Sequence, residues 1–337
     1  MSQRRFPIAL ILLIALASVL SACGGGDGGS EDPKTVIDEA TLQGIESGVI
    51  DLALAIDAKG KEGGDLDISL AGPFEEGAGG QEDLPELDLV AKADGSVNGE
   101  RIDFDGGLVL LPSSAYVNYQ GVDYEVDPTT YSFVESIIDP QSVEEAPQGP
   151  PTSLTACQET VGELKPADFT KKLKDGGEAD VGGTSTTKVS GELDVASALD
   201  SLIELSKDPA CKAQLSNAAA LPSTSELEDA RSEVKDTVRS AQIDVYVGDD
   251  DIVRRISAQL QLKPKKGTGK GPSSADVEFD LQLTGVNEDQ EIAAPQGPKP
   301  LSDLFLELGI NPLELLGLLE GEPDELLERF GGAGGSG

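Results

Sequence analysis

Cys23 is the residue whose chemistry can be inferred most directly from its neighbours. It ends the tetrad Leu20-Ser21-Ala22-Cys23, in which an apolar residue and two small residues precede the thiol. This order is typical of a bacterial lipobox, in which the cysteine is acylated, with palmitate among its chains, and becomes the first residue after cleavage. The tetrad therefore predicts Cys23 as a lipidation site. The alternative is an ordinary cleaved signal followed by a chance cysteine.

The residues before Cys23 support this interpretation. Arg4 and Arg5 precede an apolar run from Ile8 to Val19. A positive start, a short apolar segment and small residues at its end are typical of a secretory signal, and the run is shorter than the ~20 apolar residues of a membrane span. We therefore expect residues 1–22 to be a lipoprotein signal peptide, and the glycine-rich residues 23–33 to be a tether. The predicted location is the outer face of the bacterial cell membrane, after export.

Most other catalytic chemistry is made improbable by the composition. The chain has no histidine, which excludes Ser-His-Asp and Cys-His catalysis and histidine-ligated metals. Its 62 acidic and 25 basic residues give a formal charge of −37, and such a surface repels nucleic acid. The acidic clusters lack the spacing of a twelve-residue calcium loop. We expect no enzyme activity, no metal, no cofactor and no nucleic-acid partner.

Cys157 and Cys211 are the two cysteines that remain after the anchor. An exported chain lies in a compartment where disulfides persist, and an even number of cysteines favours pairing. We expect a Cys157–Cys211 disulfide. The alternative is a pair of free buried thiols.

The elements that would hold any site are mainly strands. Apolar and polar residues alternate over many short segments, such as 50–57 and 243–247, which indicates strands with one dry face and one wet face. We count about ten strands. Helices are predicted mainly in the middle of the chain, at 130–138, at 166–174 and over 195–206. Strands with segregated helices indicate an α+β fold.

Four stretches, in order, carry a resemblance to a known family. They are residues 115–124, 188–194, 245–262 and 280–295. With the lipobox, they make the chain resemble the LppX/LprA/LprF/LprG type of lipoprotein in the LolA/LolB-like lipid-carrier superfamily. The resemblance implies a curved antiparallel half-barrel with helices packed on its concave face and an apolar cavity for acyl chains. It transfers no catalytic residue.

The resemblance also implies a division of the chain. Residues 34–297 would form the lipid-binding domain, with an inserted loop at 141–183 in which this chain departs from the family. The chain also departs from the family after Pro298, where the leucine-rich residues 298–330 are expected to form an apolar helical extension, either packed on the body or acting as a lid or partner-docking element. Residues 331–337 would be a flexible glycine-rich tail.

The expected function is the binding of lipid or acyl-chain ligands, which the protein would carry across the cell envelope. A lipid or glycolipid would be the ligand, the membrane would be contacted through the acyl anchor, and an envelope export protein is a further expected partner. The alternative is a non-enzymatic structural or interaction lipoprotein with a solid core. The residues expected to line the cavity are apolar and face the predicted core: Leu52, Leu54, Ile68, Leu89, Phe104, Phe133, Ile137, Leu199, Leu202, Val245, Leu260 and Phe279.

Replacing Cys23 tests the anchor. Cys23→Ala removes the thiol that would be acylated, so we expect the protein to leave the membrane fraction or to remain unprocessed. Cell fractionation and intact-mass measurement record both outcomes. Normal processing with unchanged membrane retention would contradict the assignment of Cys23.

Overall fold

The computed structural model describes residues 32–60, 63–77, 85–97, 99–128, 130–131, 169–207, 211, 224–263 and 272–309. These residues form one twelve-stranded sheet with the order β12-β6-β5-β4-β3-β2-β1-β11-β10-β9-β8-β7. All neighbouring strands are antiparallel except β12 and β6, which are parallel. The two end strands lie at opposite edges, so the curved sheet is open rather than a closed barrel. The α+β class is compatible with this architecture.

The strand bounds are as follows. The first half contains β1 Ser47–Lys59, β2 Gly64–Glu75, β3 Glu86–Val97, β4 Glu100–Leu111, β5 Ser114–Tyr119 and β6 Val122–Glu125. The second half contains β7 Thr170–Val181, β8 Thr184–Leu193, β9 Val238–Gly248, β10 Val253–Leu262, β11 Ser274–Thr284 and β12 Lys299–Pro300. The first and second halves meet where β1 pairs with β11, with Leu52 opposite Leu281.

The expected number of about ten strands is wrong, because the sheet has twelve. Residues 166–174 were expected to form a helix within an inserted loop, but Thr170–Val181 is the edge strand β7. Register shifts occur between Lys171 and Lys174 and between Asp175 and Gly177. Each bulge breaks the two-residue period by which a strand is detected in a sequence. The second additional strand, β12, has only two residues, too few to show any period.

Four helices have bounds within the described residues. They are α1 Pro33–Glu39, α2 Val195–Lys207, α3 Thr224–Thr237 and α4 Leu301–Glu307. Asp194 caps α2, since its carboxylate accepts hydrogen bonds from the Ser197 hydroxyl at 2.8 Å and the Ser197 amide at 3.4 Å. No helix in the described ranges is long and apolar enough to cross a membrane.

The pairing register divides the sheet side chains between two faces. Leu52 lies opposite Leu281 and Leu70, and Leu54 lies opposite Phe279 and Ile68. Residues paired across an antiparallel ladder project to the same side. We call this side the apolar face. The alternate residues, such as Asp51, lie on the other side, which we call the polar face.

Two separate clusters of buried side chains cover parts of the apolar face. The first core joins β1 and β8–β11 to α1, α2 and α3, and includes Ile37, Leu199, Leu227 and Phe279. The second core lies on β4 and β5 near the far edge. Its buried members are Leu110, Ala115, Val126 and Tyr131, with Leu87, Val117 and Leu301 packed against them.

The chain end after β11 protects the outer edge of the sheet. Strand β12 pairs with β6, and the chain then continues into α4, whose Leu304 is buried. The Tyr124 hydroxyl donates to Glu307 at 3.0 Å, and Lys299 lies 3.3 Å from the same carboxylate. These contacts hold the pKa of Glu307 below its usual range. A carboxylate in this state contributes stability at neutral pH that is lost as the pH falls through its lowered pKa.

Two glycines allow the strands of the first half to approach closely. Gly72 and Gly95 have φ of +148° and +151°. A Cβ at Gly95 would lie 2.2 Å from the Asp65 carbonyl oxygen, and one at Gly72 would lie 1.8 Å from the Asp88 carbonyl oxygen. Side chains at these positions would therefore push apart β2 and β3.

Replacing Gly95 tests this close approach. Gly95→Ala adds an unfavourable φ and a clash with main chain, so we expect the free energy of unfolding to fall by about 2–4 kcal/mol. Gly99→Ala is the control, because Gly99 also has positive φ but nothing lies within 4 Å of its Cβ position. We expect this control to lose roughly 1–2 kcal/mol. Urea unfolding measures both losses, and equal losses would contradict the argument.

Candidate functional site

The strand residues expected to line a cavity share one side of the sheet. The ladder through Ile68, Leu54 and Phe279 continues to Ala258, and Phe104 lies opposite Ala93 on the same side. The pairing therefore brings together on the apolar face every predicted lining residue in a strand: Leu52, Leu54, Ile68, Leu89, Phe104, Val245, Leu260 and Phe279.

Most of these residues belong to the first core. Leu54, Leu199, Val245, Leu260 and Phe279 are buried in one cluster, and Leu199 has 0% of its surface exposed. Partly buried residues packed against this cluster are Leu52, Ile68 and Leu202. Within the described residues, this half of the apolar face is packed against helices α1, α2 and α3.

Four predicted site residues fall outside the described residues: Cys23, Phe133, Ile137 and Cys157. Cys211 is described and is fully buried. The lipidation site, the disulfide and the contribution of the helix at 130–138 therefore stay predictions. The start of that helix is described, and there Asp127 accepts a hydrogen bond from the Thr130 amide at 3.1 Å.

The remaining predicted residues, Leu89 and Phe104, lie between the two cores. Phe104 is 45% exposed, and Leu108, four residues further along the same strand face, is 40% exposed. Ile102 and Leu89 are half-buried. Side chains of this size are rarely left in contact with water in a group. We call this part of the apolar face on β2, β3 and β4 the open strip, which comprises Ile68, Leu70, Leu89, Ala91, Ile102, Phe104, Gly106 and Leu108.

The open strip contains small residues beside its large ones. Ala91 lies opposite Gly106, and Ala93 lies opposite Phe104. A Cβ at Gly106 would lie 2.7 Å from Phe104 Cζ, so the aromatic ring lies over this glycine. The ring occupies the space that a side chain at position 106 would fill.

The dimensions of the open strip suit one extended hydrocarbon chain. From Ile102 to Leu108 the strand rises about 20 Å at ~3.3 Å per residue. One leaflet of a bilayer has a hydrocarbon thickness of about 15 Å, half of the ~30 Å core. Glycines within strands, at 72, 95 and 106, were the signal in the sequence that could have located this strip, since glycine in a strand often marks a close approach.

A separate groove lies on the polar face. It has a volume of about 480 Å³ and crosses β10, β11, β1, β2 and β3. Its side chains on that face are Ala53, Ala55, Asp67, Ser69, Lys92, Asp94, Arg255, Ser257, Gln259, Glu278 and Asp280. We call it the polar groove. The sequence did not predict it, because the expected cavity was on the other side of the sheet.

Ion pairs organise one end of the polar groove. Arg255 donates to both carboxylate oxygens of Asp280, from Nε to Oδ1 at 3.1 Å and from Nη2 to Oδ2 at 2.7 Å. This hydrogen bonding raises the pKa of Arg255 above its ordinary value. Arg255 and Lys188 also lie over the Tyr246 ring, at 5.5 and 5.3 Å from its centroid. Lys92 pairs with Asp105 at 3.1 Å. Both cations that line the groove therefore already have an anionic partner. None of the described acidic and cysteine side chains form a cluster suited to a metal ion.

Truncating one residue in the first core and one in the open strip tests whether the two regions differ in how tightly their side chains are packed. Leu199→Ala leaves a cavity among fully buried side chains, so we expect a loss of about 2–5 kcal/mol in the free energy of unfolding. Phe104→Ala removes a ring that is already half in water, so we expect a loss below about 1.5 kcal/mol. Urea unfolding measures both, and an equal or larger loss for Phe104→Ala would show that this ring is part of the core.

Comparison with known proteins finds similar solved structures but no matching family model or curated protein. No protein-family model matches the chain, and no curated protein is significantly similar to it.

LprF from Mycobacterium bovis is 13% identical over 79% of this chain and 97% of its own, with a TM-score of 0.33. The lipoprotein LppX from Mycobacterium tuberculosis is 14% identical over 84% of this chain and 98% of its own, with a TM-score of 0.27. A LolA superfamily protein from Nitrosomonas europaea is 5% identical over 80% of this chain and 99% of its own, with a TM-score of 0.17. The family type that the sequence resembles is thus found again among solved structures, but at these scores the likeness carries no argument about function.

Proposed function

We propose that this protein is a lipid-anchored, exported lipoprotein that binds an acyl chain on the open strip of its apolar face. The observation that supports this most directly is the half-exposed apolar surface between two packed cores, with Phe104 and Leu108 in contact with water. A hydrocarbon chain laid along β3 and β4 would cover these side chains without disturbing either core. In this proposal the apolar face is the concave side of the half-barrel.

The free energy of such binding comes from the hydrophobic effect. Each methylene removed from water contributes about 0.8 kcal/mol. A palmitoyl chain of sixteen carbons would gain roughly 12 kcal/mol in gross terms, before association costs of at least ~4 kcal/mol. Partial coverage of the chain would therefore still give measurable binding.

The two ends of the open strip differ, which suggests an orientation for the ligand. At one end lies the second core, with Leu110 and Ala115 buried. At the other end lies the turn between β3 and β4, where Gly99, Glu100 and Arg101 are exposed. We infer that the methyl end of the chain points towards the second core, and that the polar head group stays in water near the turn.

The predicted anchor would place this surface beside its source of ligand. Cys23 would hold the body at the outer face of the cell membrane, where lipid or glycolipid can be taken up and carried across the envelope. An envelope export protein would deliver or receive the cargo.

Enlarging a small side chain of the open strip tests the proposal. Ala91→Phe places a ring in the path of the chain, so we expect the affinity for a fluorescent palmitate analogue to fall about tenfold or more, which is ~1.4 kcal/mol. The control is Val90→Phe, since Val90 is the preceding residue, lies on the polar face and is already 41% exposed. We expect the control to bind the analogue like the unchanged protein.

Native mass spectrometry of the purified protein, with organic extraction of bound material, supplies an independent measurement. We expect a co-purified lipid in the unchanged protein and less of it in Ala91→Phe. No lipid in the extract and no uptake of the analogue would reject acyl-chain binding. The protein would then be a structural or interaction lipoprotein.

A further inference from the structure

The polar groove has features of a ligand site that the acyl-chain proposal does not use. Its volume of about 480 Å³ lies within the ~300–1,000 Å³ range of small-molecule sites. It crosses five neighbouring strands, so its length is about 19 Å at ~4.8 Å per strand spacing. It is therefore long and narrow, and it suits a linear molecule.

The floor of the polar groove is made of small side chains. Ala53 lies opposite Ser69, and Ala55 lies opposite Asp67 and Glu278 on its two neighbouring strands. Longer side chains, among them Lys92, Arg255 and Glu278, surround this floor. An aliphatic segment can therefore rest on the alanines while its polar groups reach the sides.

The charge of the polar groove selects a cation. Its four acidic residues are Asp67, Asp94, Glu278 and Asp280, and its two cations are Lys92 and Arg255. Arg255 is paired with Asp280, Lys92 with Asp105, and Asp94 with Arg101 at 3.6 Å. Asp67 and Glu278 form no ion pair or hydrogen bond with any side chain of the described residues. An anionic ligand would meet cations that are already neutralised and the two unpaired carboxylates of Asp67 and Glu278.

Two carboxylates are spaced for amines on one chain. Asp67 and Glu278 flank Ala55 on strands β2 and β11, two strand spacings or about 10 Å apart. Asp94 lies opposite Asp67 on β3, one spacing further. Asp67 and Glu278, at this separation of about 10 Å, cannot converge on one metal ion, which takes ligands at ~2.0–2.6 Å.

An extended peptide fits less well than an aliphatic amine. The main-chain groups of these five strands are already paired within the sheet ladders. A peptide lying across them would bring amide and carbonyl groups of its own that the sheet cannot satisfy. An aliphatic amine has only methylenes and ammonium groups, which match the alanine floor and the carboxylates.

We propose that the polar groove binds a linear aliphatic polyamine. Its methylene spacers lie on Ala53 and Ala55, and its ammonium groups pair with Glu278 on one side and with Asp67 on the other. Exposed ion pairs are each worth about 0.2–1 kcal/mol. Several such pairs and the burial of the spacers act together in this site.

Calorimetric titration of the full chain with spermine tests the proposal. We expect Asp67→Asn and Ala55→Leu each to weaken binding about three- to fivefold, the first by removing a charge and the second by filling the floor without changing charge. The control is Glu178→Gln. Glu178 is an exposed acidic residue on the edge strand β7 and does not line the groove, so we expect a change smaller than about 1.5-fold.

The same titration distinguishes binding at a specific site from diffuse attraction of the polyamine to a protein with a formal charge of −37. Equal weakening by Asp67→Asn and Glu178→Gln would show diffuse attraction of counterions rather than a site, and would overturn the proposal. Unchanged binding to Ala55→Leu, or the absence of spermine binding, would do the same. A competition experiment at matched ionic strength compares Mg²⁺ with spermidine. If Mg²⁺ displaced spermine as completely as spermidine does, this would also count against the proposal.

Discussion

The alternation of side chains along one antiparallel sheet is the constraint on which the rest of this structure depends. Because each strand turns successive residues to opposite sides, a single register, such as Leu54 opposite both Phe279 and Ile68, fixes the surroundings of every strand residue. One side becomes a surface that must be covered, and the other becomes a charged surface that must stay wet. A slip of one residue in any strand would exchange the two sides. The many acidic residues in alternate positions, such as Asp51 and Asp57, make such a slip costly.

The strands of the sheet differ in how their apolar side is covered. Helices α1, α2 and α3 pack against β8–β11 and β1, and there the buried side chains form one continuous core. On β2, β3 and β4, alanine and glycine replace large residues, and the exposed Phe104 and Leu108 remain. The physical consequence is that different strands of one sheet have different roles. Strands β8–β11 and β1 supply stability through close packing, whereas β2, β3 and β4 keep apolar surface available at the cost of the stability that covering it would give.

Much of the sheet could be predicted from the sequence, since alternation as regular as that of residues 243–247 has only one interpretation. The pattern also placed the eight strand residues of the expected cavity on the correct common face. It could not show which of them pack against a helix, because Leu260 and Leu89 look alike in sequence and differ only in what lies above them. Strand β7 was missed because its bulges break the period. The polar groove was missed because it depends on side-chain length across five strands, and such neighbours are far apart in the chain.

The charge of the body and the length of the tether together decide how the proposed anchor would act. An acidic body of formal charge −37 is repelled by an anionic lipid surface, but only within a Debye length of about 8 Å at physiological ionic strength. From Cys23 to Asp32, the chain can extend to about 30 Å at ~3.3 Å per residue. Because this reach is several Debye lengths, the anchor can hold the body near the membrane without pressing its polar face against the head groups. Contact with the bilayer then requires the apolar face to turn towards it, since only that face gains free energy from hydrocarbon. The sidedness of the sheet would thus set the direction from which an acyl chain enters.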